Sequence, residues 1–181
     1  GGIPQHGERI YIAGMQRCLL DLPVDKVDNF QFEWPHAVLC PPLTKFLSPN
    51  NQNRWVPTAQ GYLNRLVTMI EKIREDGGVP GKVNYVIDIA ASEQFARSYM
   101  EERSPTLTRA RAGSGGYYLT AWRRLMTTRE IAKLQGFPGD IKRGQATERQ
   151  FCQMCGNAMT TTVVARVLGM LLKAGGYIKD D

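Results

Sequence analysis

The tightest constraint on the fold lies between Arg124 and Pro138, where the sequence marks both ends of one helix. Thr127 and Glu130 have capping-box spacing: the threonine oxygen accepts from the N–H three residues on, and the glutamate reaches back to the cap amide. Gly136 suits the left-handed turn after a helix, and Pro138 cannot continue one. The pattern predicts a helix from Thr128 to about Gln135, with Ile131, Leu134 and Phe137 on its core side. Further on, Val163, Val164, Val167, Leu168, Leu171 and Leu172 recur at helical spacing behind Thr160, Thr161 and Thr162. They predict a C-terminal helix docked on a core.

Upstream, Leu63, Leu66, Val67, Ile70 and Ile73 predict an amphipathic helix over 61–75, stopped by Gly77 and Gly78. Residues 83–89, Val-Asn-Tyr-Val-Ile-Asp-Ile, look like a strand. Residues 92–102 read as a short helix ended before Ser104 and Pro105, and 106–119 as strands joined by a flexible loop. Near the start, 9–13 reads as a strand closed by Gly14. Between 23 and 55 the prolines Pro23, Pro35, Pro41, Pro42 and Pro49 interrupt any period, so this is loop. No internal repeat is visible.

At 181 residues and 43% hydrophobic, the chain suffices for one domain or two small lobes. It has no apolar run of membrane-spanning length and no charged-then-apolar leader, so neither a membrane span nor a signal peptide is expected. It begins with Gly1 rather than methionine, and the expectation is a piece of a longer gene or a processed or split product. The formal charge is +6. Such a balance favours an anionic partner. Arg97, Arg103, Arg109, Arg111, Arg123, Arg124 and Arg129 cluster in one third of the chain beside Tyr117, Tyr118 and Trp122. Arginine forks suit phosphates and guanine edges, and the aromatics suit sugar or base. Of the four cysteines, Cys152 and Cys155 are close, but His6 and His36 lie far upstream. Zinc needs four ligands, so no metal site is expected. The pair reads as two small thiols, buried or half-buried, in a turn, and the compartment as reduced and intracellular.

Three blocks in order carry a resemblance. Pro4-Gln5-His6-Gly7-Glu8-Arg9 is similar to a Pro-Gln-x-Arg-x-Arg motif; the stretch from Arg124 to Pro138 and the stretch from Gly156 to Met159 are similar to the two motifs that close the same family. The chain thus resembles the C-terminal part of DNA cytosine-5 methyltransferases. Nothing in it resembles the Gly-rich S-adenosylmethionine loop, the Pro-Cys nucleophile or the Glu-Asn-Val block. Cys40-Pro41-Pro42 reverses the Pro-Cys order and lies after the Pro-Gln block, so Cys40 is not assigned as catalytic.

The resemblance implies the α/β class: the edge of a Rossmann-like S-adenosylmethionine-dependent methyltransferase core with an inserted small mixed target-recognition lobe. Residues 1–22 would end the catalytic core, 23–123 form the recognition region, and 124–181 return to the core. In this family a cysteine thiolate adds to carbon 6 of a flipped cytosine, and carbon 5 then takes the methyl group. Arg9 matches the arginine that holds the cytosine carbonyl oxygen, and Gln5 matches the glutamine of the same motif. Gly7 replaces the motif's first arginine, removing a charge and five donors. Thr106 and Leu107 resemble the Thr-Leu dipeptide near the flipped base. Arg109, Arg111, Gly113, Gly115 and Gly116 resemble the glycine-rich loop that approaches DNA. Asn157, Ala158 and Met159 resemble the edge of the S-adenosylmethionine pocket. Plainer readings stand beside these: a surface arginine for Arg9, a solvated hairpin tip for the loop, an unliganded turn for Gly156 and Asn157.

The implied partners are DNA and the missing N-terminal catalytic half, encoded in the same gene or as a separate subunit. Neither membrane nor metal is implied. The expected location is intracellular, the nucleus in a eukaryote or the cytoplasm in a bacterium. Three other readings remain open: a non-catalytic second subunit, a DNA-binding remnant favoured by Gly7, and a tRNA cytosine-5 methyltransferase.

Overall fold

The computed structural model describes residues 3, 4, 12, 13, 16, 26, 32–48, 56–91, 98–112 and 116–178. Within them, 32–48 holds neither helix nor strand beyond a 3-10 turn at Leu43–Lys45, as its prolines require. Helix α1 spans Gln60–Glu75 and buries Leu66, Met69 and Ile73, close to the predicted bounds. Gly77 stops it at φ 83, where its N–H donates to Arg74, while that of Gly78 donates to Ile73. Only a residue without Cβ accepts that turn cheaply.

Four strands follow: β1 Tyr85–Asp88, β2 Tyr99–Glu101, β3 Tyr117–Leu119 and β4 Arg124–Leu125. They form one antiparallel sheet in the order β2-β1-β3-β4. Strand β1 is central and buried along its whole length, because both faces of the sheet are covered. Alternation divides its side chains. Tyr85, Ile87 and Ile89 join Tyr99, Tyr118 and the buried face of α1. Val86 joins Tyr117 and Leu119 in a second core on the opposite face.

The predicted helix over 92–102 is corrected in part: 92–97 lie outside the described residues, and Tyr99–Glu101 is a strand. Its register against Tyr85, Val86 and Ile87 overrides the local pattern. Likewise 106–119, expected as strands joined by a flexible loop, differs in its described residues. It contains a one-turn helix, α2 at Arg109–Ala112, before β3.

Helix α3 occupies Thr128–Leu134 with both capping-box bonds formed. Ile131 and Leu134 are buried, and Phe137 packs against the same core. Helix α4 at Glu148–Asn157 was not predicted. It buries Phe151, Cys152 and Cys155, so the two cysteines lie on a helix rather than in a turn. Helix α5 spans Thr161–Ala174, with Leu171 its one buried residue among those described; Leu168 is 48% exposed. Among the described residues, no single helix is long and apolar enough to cross a membrane. The predicted strand over 9–13 lies mostly outside the described residues; Ile12 and Ala13 belong to no strand.

Candidate functional site

The second core draws together segments far apart in sequence: Ile3, Leu107, Leu134, Phe151 and Cys155 share it. Hydrogen bonds fix the same meeting point. The Ser104 N–H donates to the Pro4 carbonyl at 2.7 Å. Gln135, fully buried, donates from Nε2 to the Cys155 carbonyl at 2.7 Å and accepts from the Thr160 hydroxyl at 3.3 Å. Its own carbonyl accepts from the Thr161 N–H at 2.9 Å. One amide thereby joins the end of α3 to the α4–α5 junction, satisfying polar groups that burial would otherwise penalise.

Two glycines permit this approach. Gly136 has φ 83, and a Cβ there would stand 2.5 Å from Thr161 Oγ1 and 3.3 Å from Ile3 Cδ1. At Gly156 a Cβ would stand 2.5 Å from the carbonyl carbon and oxygen of Thr108 and 2.6 Å from the Arg109 nitrogen. The backbone from Thr108 to Arg109 therefore rests directly on α4. On its other side, the Tyr117 hydroxyl donates to the Thr106 carbonyl at 3.0 Å and accepts from the Thr108 N–H at 3.3 Å. Burial pushes that phenol up to about 12, although the Thr108 N–H works against the rise.

A buried ion pair joins β4 to α3. Arg124 Nη1 and Nη2 donate to Glu130 Oε2 and Oε1 at 2.8 and 2.6 Å, the fork-to-carboxylate geometry. Glu130 also accepts from the Thr127 N–H at 2.7 Å and the Ser48 N–H at 2.8 Å. Burial alone would raise the carboxyl's pKa. The Arg124 fork and the two backbone donors outweigh it and hold the pKa below the ordinary value. Arg124 also lies 4.8 Å from the Trp122 ring centroid.

These contacts correct several expectations. Arg124 is buried and paired with Glu130, not presented to an external anion. Tyr117 and Tyr118 are buried in the sheet, so neither offers a ring to a base. Arg111 is paired through Nε with Asp88 at 2.9 Å. Gly116 is buried against Ala90 rather than standing at a loop tip. Arg103, Arg109, Arg123 and Arg129 are exposed, while Thr106 is half-buried. At the α4–α5 junction Asn157 and Met159 are exposed and Ala158 is half-buried with extended backbone. Arg9, Gln5, Gly113 and Gly115 lie outside the described residues, as do Gly7 and Arg97. Among the described residues, no group of three or more His, Cys, Asp or Glu could hold a metal ion.

The structure thus brings the segments around Pro4, Thr106, Gln135 and Gly156 to one place. The model of C-5 cytosine-specific DNA methylases matches residues 1–173. The chain belongs to this family. A similar relative is the type II methyltransferase M.Bsp6I of Bacillus sp. (strain RFL6), 25% identical over 189 aligned residues. That alignment covers 96% of this chain and 52% of the relative, so the chain spans about half the relative's length.

Sequence reasoning missed Asp88, Ser48 and the Tyr117 hydroxyl. Asp88 had a visible signal: an acid within the apolar run 83–89 must find a partner if that strand is buried. Ser48 had none, since it acts through its backbone.

Proposed function

We propose that this chain is the C-terminal portion of a DNA cytosine-5 methyltransferase, supplying target recognition and the edge of the S-adenosylmethionine pocket. The observation that carries the reading is the convergence at Gly156. The block resembling the cofactor edge there touches the backbone of the block resembling the recognition segment. A methyl donor and a flipped cytosine must meet within bonding distance, so the segments serving each must be locked in register.

On this reading residues 1–22 and 124–181 belong to the edge of a Rossmann-like core, and 23–123 form the inserted recognition lobe. Thr106 and Arg109, with Gly113, Gly115 and Gly116, form the face toward DNA. Gly116 acts there as a buried stem. Arg9 would hold the carbonyl oxygen of the flipped cytosine, with Gln5 beside it, favouring thiolate addition by stabilising developing charge. The thiolate itself would come from the N-terminal half. Asn157 offers an amide donor and acceptor at an exposed junction, and Ala158 and Met159 offer backbone and apolar surface. That set suits the amino-acid end and sulfur of S-adenosylmethionine, which supplies the methyl group when bound.

The test is methyl transfer from S-adenosylmethionine to cytosine in DNA and in tRNA, using this chain alone and then joined to the sequence encoded upstream. Transfer to DNA in the joined form alone is the expected result. Transfer confined to tRNA would replace the substrate. DNA binding without transfer in either form would leave a recognition remnant in place of the enzyme.

A further inference from the structure

Asp88 is 4% exposed, ends β1, and has no part in the chemistry proposed above. Its Oδ2 lies 2.9 Å from Arg111 Nε, and its Oδ1 accepts from the Ala90 N–H at 3.2 Å. The arginine side chain is 28% exposed and the aspartate side chain 6%, so the pair is open to solvent on the arginine's side and turns its Nε toward the buried carboxylate. The neighbouring backbone is fixed to the same strand end. The Gly116 N–H donates to the Arg111 carbonyl at 3.3 Å, and the Ile89 N–H donates to the Gly116 carbonyl at 2.7 Å. A Cβ on Gly116 would stand 2.8 Å from Ala90 Cβ. Arg111 and Gly116, the one in α2 and the other leading into β3, are therefore both held beside the end of β1.

An arginine at the edge of a DNA-facing segment readily pairs with phosphate. Such a contact adds affinity for any duplex and no sequence information. A buried carboxylate that takes the Nε edge removes one good geometry for that contact. It also fixes where the segment's ends stand relative to the bases.

We infer that Asp88 is a specificity-determining positioning residue, which holds Arg111 and the ends of the recognition segment while withholding Arg111 from indiscriminate phosphate pairing. This rests on the DNA-recognition reading above. The two effects act in opposite directions on affinity and selectivity. Neutralising Asp88 strengthens binding to arbitrary DNA and weakens discrimination.

The experiment uses the chain joined to its N-terminal half. Duplex binding is titrated over a range of salt concentrations, and methylated cytosines are mapped by sequencing the product DNA. For Asp88→Asn, the plot of log affinity against log salt steepens by about 0.9, the increment of one further phosphate contact. The ratio of methylation at preferred to other cytosines falls at the same time. Arg111→Gln lowers that ratio and leaves the salt slope unchanged; the steeper slope of Asp88→Asn is the readout that general loosening of the fold does not reproduce. An unchanged slope and site preference in Asp88→Asn would overturn the inference. So would a slope reduced by about 0.9 in Arg111→Gln, which would make Arg111 a phosphate contact in the native protein. If the unsubstituted joined protein fails to bind duplex DNA, the recognition reading itself falls, before either variant is compared.

Discussion

Replacing Glu130 by glutamine tests the buried pair that joins β4 to α3. The substitution keeps the shape and one acceptor oxygen but discharges the group. Arg124, 3% exposed, then carries an uncompensated charge beside an amide whose NH2 faces donors. In the native protein the two carboxylate oxygens receive four close donors: both Arg124 nitrogens, the Thr127 N–H and the Ser48 N–H. Glutamine satisfies at most half of them, and breaking one side of a buried ion pair costs about 3–5 kcal/mol. At about 1.4 kcal/mol per decade, the folded-to-unfolded ratio falls by two to more than three orders of magnitude. Urea denaturation, followed by near-ultraviolet circular dichroism, measures the change as a shift of midpoint at constant slope. Arg124→Met combined with Glu130→Gln leaves no orphaned charge, and its loss should be smaller than the sum of the single losses. A loss below about 1 kcal/mol for Glu130→Gln would refute the argument, since that is the range of exposed pairs.

The same carboxyl gives a pH dependence. Its folded pKa lies below the ordinary 4.5, so its stabilisation is complete above the unfolded value and is lost as pH falls through the folded one. The stability of the native protein should therefore fall more steeply below pH 4.5 than that of Glu130→Gln; the difference cancels the opposing contribution of Asp88, whose pKa is raised by burial. Tyr117→Phe strips the Thr106 carbonyl and Thr108 N–H of a shared partner, a loss of about 1–3 kcal/mol. Amide exchange should accelerate at Thr108, and unchanged exchange there would remove Tyr117 from its positioning role. Gly156→Ala drives a methyl into the Thr108 and Arg109 backbone and should cost about 1–3 kcal/mol. Gly169→Ala, with nothing within 4 Å of the added carbon, should be neutral or stabilise α5 by about 0.5–1 kcal/mol. Thermal melting of the two alanine variants compares them directly.

The elements that could be read from sequence are those whose stop signals and periodicity agree. In α1 the apolar spacing ends at two glycines, and in α3 the capping box is closed by Gly136. Helix α4 escaped, although Thr147 and Gln150 form a capping box of their own. Its polar first turn masked the buried run Phe151, Cys152 and Cys155. Strand β2 escaped because its pairing with β1 is tertiary, and a three-residue strand carries too few alternations to be recognised. At the site, the motif blocks were legible as blocks, while the partners of their side chains were not. Composition marked Arg111 and Arg124 as basic, and only the fold shows each facing a carboxylate.

The shared core of Ile3, Leu43, Leu107, Leu134 and Phe151 sets an order in time as well as in space. Ribosomal synthesis runs from the N-terminus at about 5–20 residues per second, so roughly 7 to 30 s separate the appearance of Ile3 from that of Phe151. For that interval the core that these side chains share within this chain is unfinished. The Ser48 N–H likewise waits for Glu130, 82 residues later. Contacts of such separation fold slowly. Until then Ile3, Leu43 and Leu107 lack the partners that bury them within this chain, and yield in a cell should depend on chaperone supply more than the final stability would suggest.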